Sequence, residues 1–79
     1  MAPELPEVEI RRVVRERLRE GMLWVISTPI PAATAATGRD DCIVCGFPIG
    51  AGRKECAVSG ARAHEICATI WLEESPRAR

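Results

Sequence analysis

Four cysteines and the only histidine of this 79-residue chain fall between Cys42 and Cys67. No other stretch constrains the fold as much. It opens with Cys42-Ile-Val-Cys45-Gly46 and closes with His64-Glu-Ile-Cys67. Each end carries two donor side chains three positions apart, in the spacing Cys-x2-Cys-x18-His-x2-Cys. Donors so paired reach one ion together, from a tight turn at one end and a helical turn at the other. A tetrahedral set of three thiolates and one imidazole suits zinc, one ion per chain. Two disulfides, or inert buried cysteines, are the competing reading. A chain this short has a marginal apolar core and generally needs such a staple.

The opening residues bear on that competition. Pro3-Glu4-Leu5-Pro6-Glu7 is acidic and broken by proline, unlike the basic and apolar start of a secretory signal. A cytoplasmic location is therefore expected, where thiols stay reduced and favour metal over disulfide. The most apolar run, Met22 to Thr37, is too short for a membrane span and holds Pro29 and Pro31. Formal net charge is zero, with 11 basic and 11 acidic residues shared evenly between the two halves. That balance lacks the electrostatic footprint of a nucleic-acid binder. Ten of the eleven basic residues are arginine and alanine is abundant, a composition that hints at a high-GC bacterial genome.

A small, metal-stabilised α+β fold is expected, in four segments: 1–27, a linker over 28–41, a metal module over 42–76 and a tail over 77–79. Residues 7–20 read as an amphipathic helix. Ile10, Val13, Val14 and Leu18 recur at the 3.6-residue period, Pro6 suits the first helical position, and Gly21 suits the stop. Glu7 and Glu9 complement the positive end of the helix dipole, and Arg17 and Arg19 the negative end. Arg11, Arg15 and Arg19 lie one turn apart. They read either as a solvated face paired with Glu7 and Glu16 or as a ridge for phosphate or an acidic partner. Met22–Ser27 is a strand or a tethered extended segment, with Trp24 packed on the metal module or the helix. The linker holds Pro29, Pro31 and an Ala/Thr run without periodicity, so irregular structure draped over the module is expected.

Within the module, Cys42–Gly46 has the form of a knuckle whose backbone N–H groups point at the sulfurs. Phe47–Gly52 is a loop with one apolar plug. Arg53–Val58 and Ala61–Ala63 pair as a hairpin through a two-residue Ser59-Gly60 turn. His64 opens a helix to about Glu74, ended by Ser75-Pro76, with Ile66, Cys67, Ile70 and Trp71 on its apolar face. The ligands are then Cys42, Cys45, His64 and Cys67. Cys56 stands outside the paired pattern. It is a small buried hydrophobe, an alternative ligand in place of His64, or a redox partner for the site.

Knuckle, hairpin and a helix that supplies the second ligand pair resemble a treble-clef zinc finger. Cys42, Cys45, His64 and Cys67 look like the first zinc-binding half of a LIM domain, over about residues 40–74, with the second half missing. The layout is also similar to small bacterial zinc-binding proteins, in its Arg-rich helix (Val13–Gly21), Pro-rich linker (Thr28–Gly38) and Trp71–Glu73 helix. The resemblance implies a fold and a metal; treble clefs serve several functions.

Three functions are compatible with these residues. The first is a structural-zinc protein-interaction module, acting through self-association or another protein. Its surface would be drawn from Arg11, Arg15, Arg19, Trp24, Phe47 and Trp71. The second is a nucleic-acid-binding regulator that uses the Arg-rich helix with Arg53, Lys54 and Arg62. The third is a redox-responsive switch through Cys56. An enzyme is not expected, because four protein ligands close a tetrahedral ion and His64 is the only imidazole. Were His64 not a ligand, three cysteines and an open position would revive catalysis.

Overall fold

The computed structural model describes residues 6–27 and 29–75. The helix stop expected at Pro76 and the tail over 77–79 lie outside the described residues. The first element, α1, runs Glu7–Glu20, the span its periodicity predicts. Its start differs by one position: Pro6 is the N-cap, with extended ψ, and not the first helical residue. The Pro6 carbonyl accepts from the N–H groups of Glu9 and Ile10, both at 3.0 Å. At the other end Gly21 is left-handed, and the N–H of Met22 reaches back to the Arg17 carbonyl at 2.8 Å.

Beyond Gly21 the chain bends and forms no strand. Leu23 and Ile26 turn inward, while Met22, Trp24 and Val25 stay exposed. The segment is held through its backbone: the Ile26 N–H donates to Ser75 Oγ at 2.9 Å, and the Trp24 carbonyl accepts from Trp71 Nε1 at 2.8 Å.

The linker departs from expectation. Thr34–Ala35 form a short strand, β1, paired antiparallel with β2, Lys54–Val58, in the register Thr34↔Glu55 and Ala35↔Lys54. The Ala36 N–H continues the ladder to the Arg53 carbonyl at 2.7 Å, and Ala36 is buried. Ile30 and Ala33 also pack on the core. Two paired residues are too few to show a period of two. The pairing comes from the hydrogen-bonding edge that β2 offers, which satisfies backbone groups otherwise costly to bury.

Strand β2 returns through Ser59-Gly60 into β3, Ala61–His64, with Val58 opposite Ala61 and Glu55 opposite His64. Both turn residues have positive φ, as a two-residue hairpin loop with the sheet's natural twist requires. The sheet order is β1-β2-β3. Helix α2, Glu65–Glu74, follows at once, with His64 as its N-cap and not its first helical residue. Its buried residues are Cys67, Ala68, Ile70, Trp71 and Glu74. Ile66, expected on the apolar face, is 42% exposed instead.

One core joins all of this. Ile10 and Val14 of α1 share a cluster with Trp71 and Ile70 of α2, Val58 and Ala63 of the hairpin, and Val44 and Ile49 of the knuckle region. The helices are also bolted by charge. Glu74, whose side chain is fully buried, accepts from Arg15 Nε at 2.8 Å and Arg11 Nη1 at 3.1 Å. Arg11 Nη2 reaches Glu73 at 2.7 Å and the carboxylate of Glu7, one turn back, at 3.2 Å. No helix among the described residues is long and apolar enough to cross a membrane.

Because Ile10 is fully buried in this shared core, Ile10→Ala is expected to cost about 2–5 kcal/mol. Thermal unfolding followed by far-UV circular dichroism and tryptophan fluorescence should show both signals falling together at a lower midpoint. An unchanged fluorescence midpoint would mean that α1 is an appendage.

Candidate metal centre

The knuckle is a miniature hairpin. The Cys42 N–H donates to the Phe47 carbonyl and the Gly46 N–H to the Cys42 carbonyl, both at 2.9 Å. Asp41 and Pro48 bridge just outside, and the Ile49 N–H reaches the Asp40 carbonyl at 2.9 Å. Gly46 has φ +80 and open space around its missing Cβ, so the left-handed backbone and not crowding demands glycine there. Val44 and Ile49, both fully buried, fix the knuckle on the core, with Ile49 as the apolar plug of the loop. The Ile43 N–H ties it to β3 through the Arg62 carbonyl at 2.9 Å. The other two donors come from the junction of β3 and α2: His64 ends the strand, and Cys67 lies in the first turn of the helix.

These elements bring Cys42, Cys45, His64 and Cys67 together, their donor atoms all within 4.8 Å of one another. His64 Nδ1 lies 3.4 Å from Cys45 Sγ and 3.8 Å from Cys67 Sγ. A tetrahedron with Zn–S of about 2.3 Å and Zn–N of about 2.0 Å has edges of about 3.5–3.8 Å. The four residues are thus positioned to bind one metal ion, with Nδ1 as the imidazole donor. Cys42, His64 and Cys67 are buried, and only Cys45 is partly open to solvent.

The three clustered thiols perturb one another strongly. The Cys42 thiol is held far below the usual value, chiefly because the Cys45 thiol, then that of Cys67, donates to its sulfur. The N–H groups of Cys45, at 3.5 Å, and of His64 add to this. Cys45 is pushed up by the Cys42 sulfur that it serves as donor. Cys67 is pushed up further, by Cys42 first and Cys45 second. Three sulfurs this close accept one negative charge readily and resist a second. A dication reverses that preference, because it binds the thiolate forms.

Cys56 is a buried free thiol outside the cluster. By strand alternation it faces the core with Ala63 and Val58, whereas His64 and Glu55 point from the opposite face. Burial, then Glu65 and Glu55, raises its thiol, the behaviour of a buried hydrophobe and not of a reactive thiolate.

The residues expected on a partner surface divide. Trp71 is fully buried. Trp24 packs edge to face on it, centroids 4.9 Å apart, yet stays 41% exposed. Phe47 is half-buried in the knuckle. Arg11 and Arg15 are committed to the carboxylates of α2, and Glu16 pairs with Arg12 at 2.8 Å, not with the exposed Arg19. Two carboxylates went unnoticed in the sequence, Glu55 and Glu74, both buried. Glu55 was within reach of the sequence, since counting back from the Ser59-Gly60 turn sets it opposite His64.

No protein-family model, no curated protein and no solved structure matches the chain.

Native mass spectrometry should find one zinc in the wild type and in Cys56→Ser, and none in Cys42→Ser or Cys67→Ser. Loss of zinc from Cys56→Ser would mean a different ligand set. Affinity should also depend steeply on pH. The ion displaces the thiol protons held high on Cys45 and Cys67, so the apparent affinity rises with pH near neutrality. It falls as acid restores them. Chelator competition at several pH values measures that slope, and a slope near zero would remove the thiols as ligands.

Proposed function

We propose that the chain is a structural-zinc protein-interaction module with the organisation of a treble clef. The observation that carries this reading is the convergence of four buried or half-buried protein donors on one ion-sized gap. Knuckle, hairpin and helix follow one another in treble-clef order, and the ligand spacing is that of one half of a LIM domain. Four protein donors fill a tetrahedral ion and leave no position for a water or a substrate, so the metal's role is architectural and not catalytic. Thiols kept as ligands suit a reducing compartment such as the cytoplasm.

The interaction surface is formed by the exposed Met22, Trp24 and Val25. Met22 is 60% exposed, Trp24 41% and Val25 38%. It borders an open groove of about 400 Å³ lined by Trp24, Ile26, Pro29, Ile30 and Val58. A half-exposed tryptophan anchored by its own backbone is pre-ordered for binding, and aromatic anchors of this kind dominate interface energetics. The nucleic-acid reading loses support, because Arg11, Arg12 and Arg15 are already paired with carboxylates.

Trp24→Ser tests the proposal. Light scattering of zinc-loaded wild type over a range of concentrations is expected to show a mass above the monomer, or a stable complex with a second protein. Trp24→Ser should return to the monomer with its zinc retained. Identical behaviour of the two proteins would remove this segment as the interaction surface.

A further inference from the structure

The four donors of the metal centre are not equally protected. Cys42, His64 and Cys67 are buried, while Cys45 is partly open to solvent. Beside it, the exposed Gly46 has open space where a Cβ would stand, so a small solute can reach the tip of the knuckle. The Cys42 sulfur is close at hand. The two donor atoms lie within 4.8 Å of each other, and the Cys45 N–H points at Cys42 Sγ from 3.5 Å. Both cysteines belong to one turn, which the Cys42 N–H closes on the Phe47 carbonyl and the Gly46 N–H on the Cys42 carbonyl. Those bonds are made by the backbone, so the pair stays together whether or not its sulfurs share an ion. Cys67 belongs to a different element, α2, and Cys56 is buried outside the cluster.

We infer that Cys45 is an oxidation site: a hydroperoxide converts its sulfur to a sulfenic acid, and Cys42 then closes on it as a disulfide that ends metal binding. The inference rests on the reading of Cys42, Cys45, His64 and Cys67 as a zinc site, and it adds a modification that reverses that site. In the first step the Cys45 thiolate attacks the peroxide. An S–O bond forms, the O–O bond breaks, the sulfur loses two electrons, and the other oxygen leaves as hydroxide. In the second step the Cys42 thiolate attacks Cys45 Sγ. An S–S bond forms, the S–O bond breaks, and a second hydroxide leaves. Two protons from solvent turn both hydroxides into water. Sulfenic acids condense in this way with a neighbouring thiol, and the disulfide returns to two thiols under a reductant. Both knuckle donors are consumed together, which leaves the ion only His64 and Cys67. Binding energy that had ordered the module is lost with them. Exposure favours Cys45 as the point of attack, and the shared turn favours Cys42 as the sulfur that resolves it.

The zinc-loaded full chain is treated with hydrogen peroxide beside Cys56→Ser and Cys45→His, the latter keeping four donors. Released zinc is read with a colorimetric chelator, and free thiols are alkylated before tryptic mapping. Cleavage after Arg39 and Arg53 isolates Cys42 with Cys45, apart from Cys56 and Cys67. The expected result is one zinc released per disulfide within that peptide, at the same rate in Cys56→Ser, with zinc taken up again after dithiothreitol. Dimedone present during oxidation should mark Cys45 first. Cys45→His should keep its zinc under the same treatment. A first dimedone adduct on Cys56, a disulfide that joins Cys67 to the knuckle, or zinc lost as fast from Cys45→His overturns the inference and leaves the zinc site standing. A wild type that takes up no zinc before the oxidant overturns the metal reading and the release with it. The wild type and Cys56→Ser decide the matter even if Cys45→His binds no zinc.

Discussion

One knuckle, one strand end and the first turn of one helix meet at a point in this fold. Cys42 and Cys45 come from a knuckle that a glycine turn and two carbonyls close. His64 and Cys67 come from the place where a strand becomes a helix without a residue between them. The knuckle brings two of the three sulfurs and α2 the third, so the cluster joins both halves. What makes the arrangement tolerable is a geometry sized for a dication and backbone N–H groups aimed at the sulfurs. The hairpin, the plug of Ile49 and Cys67 in the first turn of α2 all converge on that point.

The N-terminal segment solves a different problem. A knuckle, a hairpin and a ten-residue helix leave one side of Trp71 and Ile70 without a cover. Helix α1 supplies Ile10 and Val14 for that side, and the Leu23–Ile26 stretch closes the remaining gap. Polar groups at this seam are matched with care. The indole N–H of Trp71 finds a carbonyl, Ser75 Oγ accepts from one backbone N–H and donates to the Trp71 carbonyl, and Glu74 receives two guanidinium groups. A buried ion pair of this kind contributes less to stability than to register, since desolvation offsets much of its attraction. It sets where α1 sits along α2.

Much of this was legible in the residues. The ligand pairs declared themselves because metal chemistry fixes both type and spacing. Helix α1 was legible because its apolar period and its glycine stop agree, although Pro6 caps the helix and does not begin it. The hairpin was legible because Ser59-Gly60 is turn chemistry. The rest depends on contacts between distant positions. Nothing local marks Thr34 and Ala35 as a strand; the edge of β2 recruits them. Ile66 and Glu74 exchange the environments their side chains suggest, one exposed and one buried. The reason is tertiary: two arginines on α1 pair with the buried Glu74, while Ile66 lies on the outward side of α2. The same arginines look like a free ridge in one dimension, because their acceptors lie 59 and 63 residues away.

That separation has a consequence for how the chain is made. Helix α1 is synthesised first, yet the carboxylate that receives Arg15 is added 59 residues later. At ordinary translation speeds of roughly 5–20 residues per second, the wait is about 3–12 seconds. Throughout it the apolar stripe of α1 has no surface to cover. An isolated helix of 14 residues is marginal in water, so the segment cannot act as a stable template while it waits. The knuckle and hairpin, with ligands near one another in the chain, can close around an ion before α1 docks. Helix α1 is then translated well before the surface that covers it, and a newborn chain spends those seconds with an uncovered hydrophobic face.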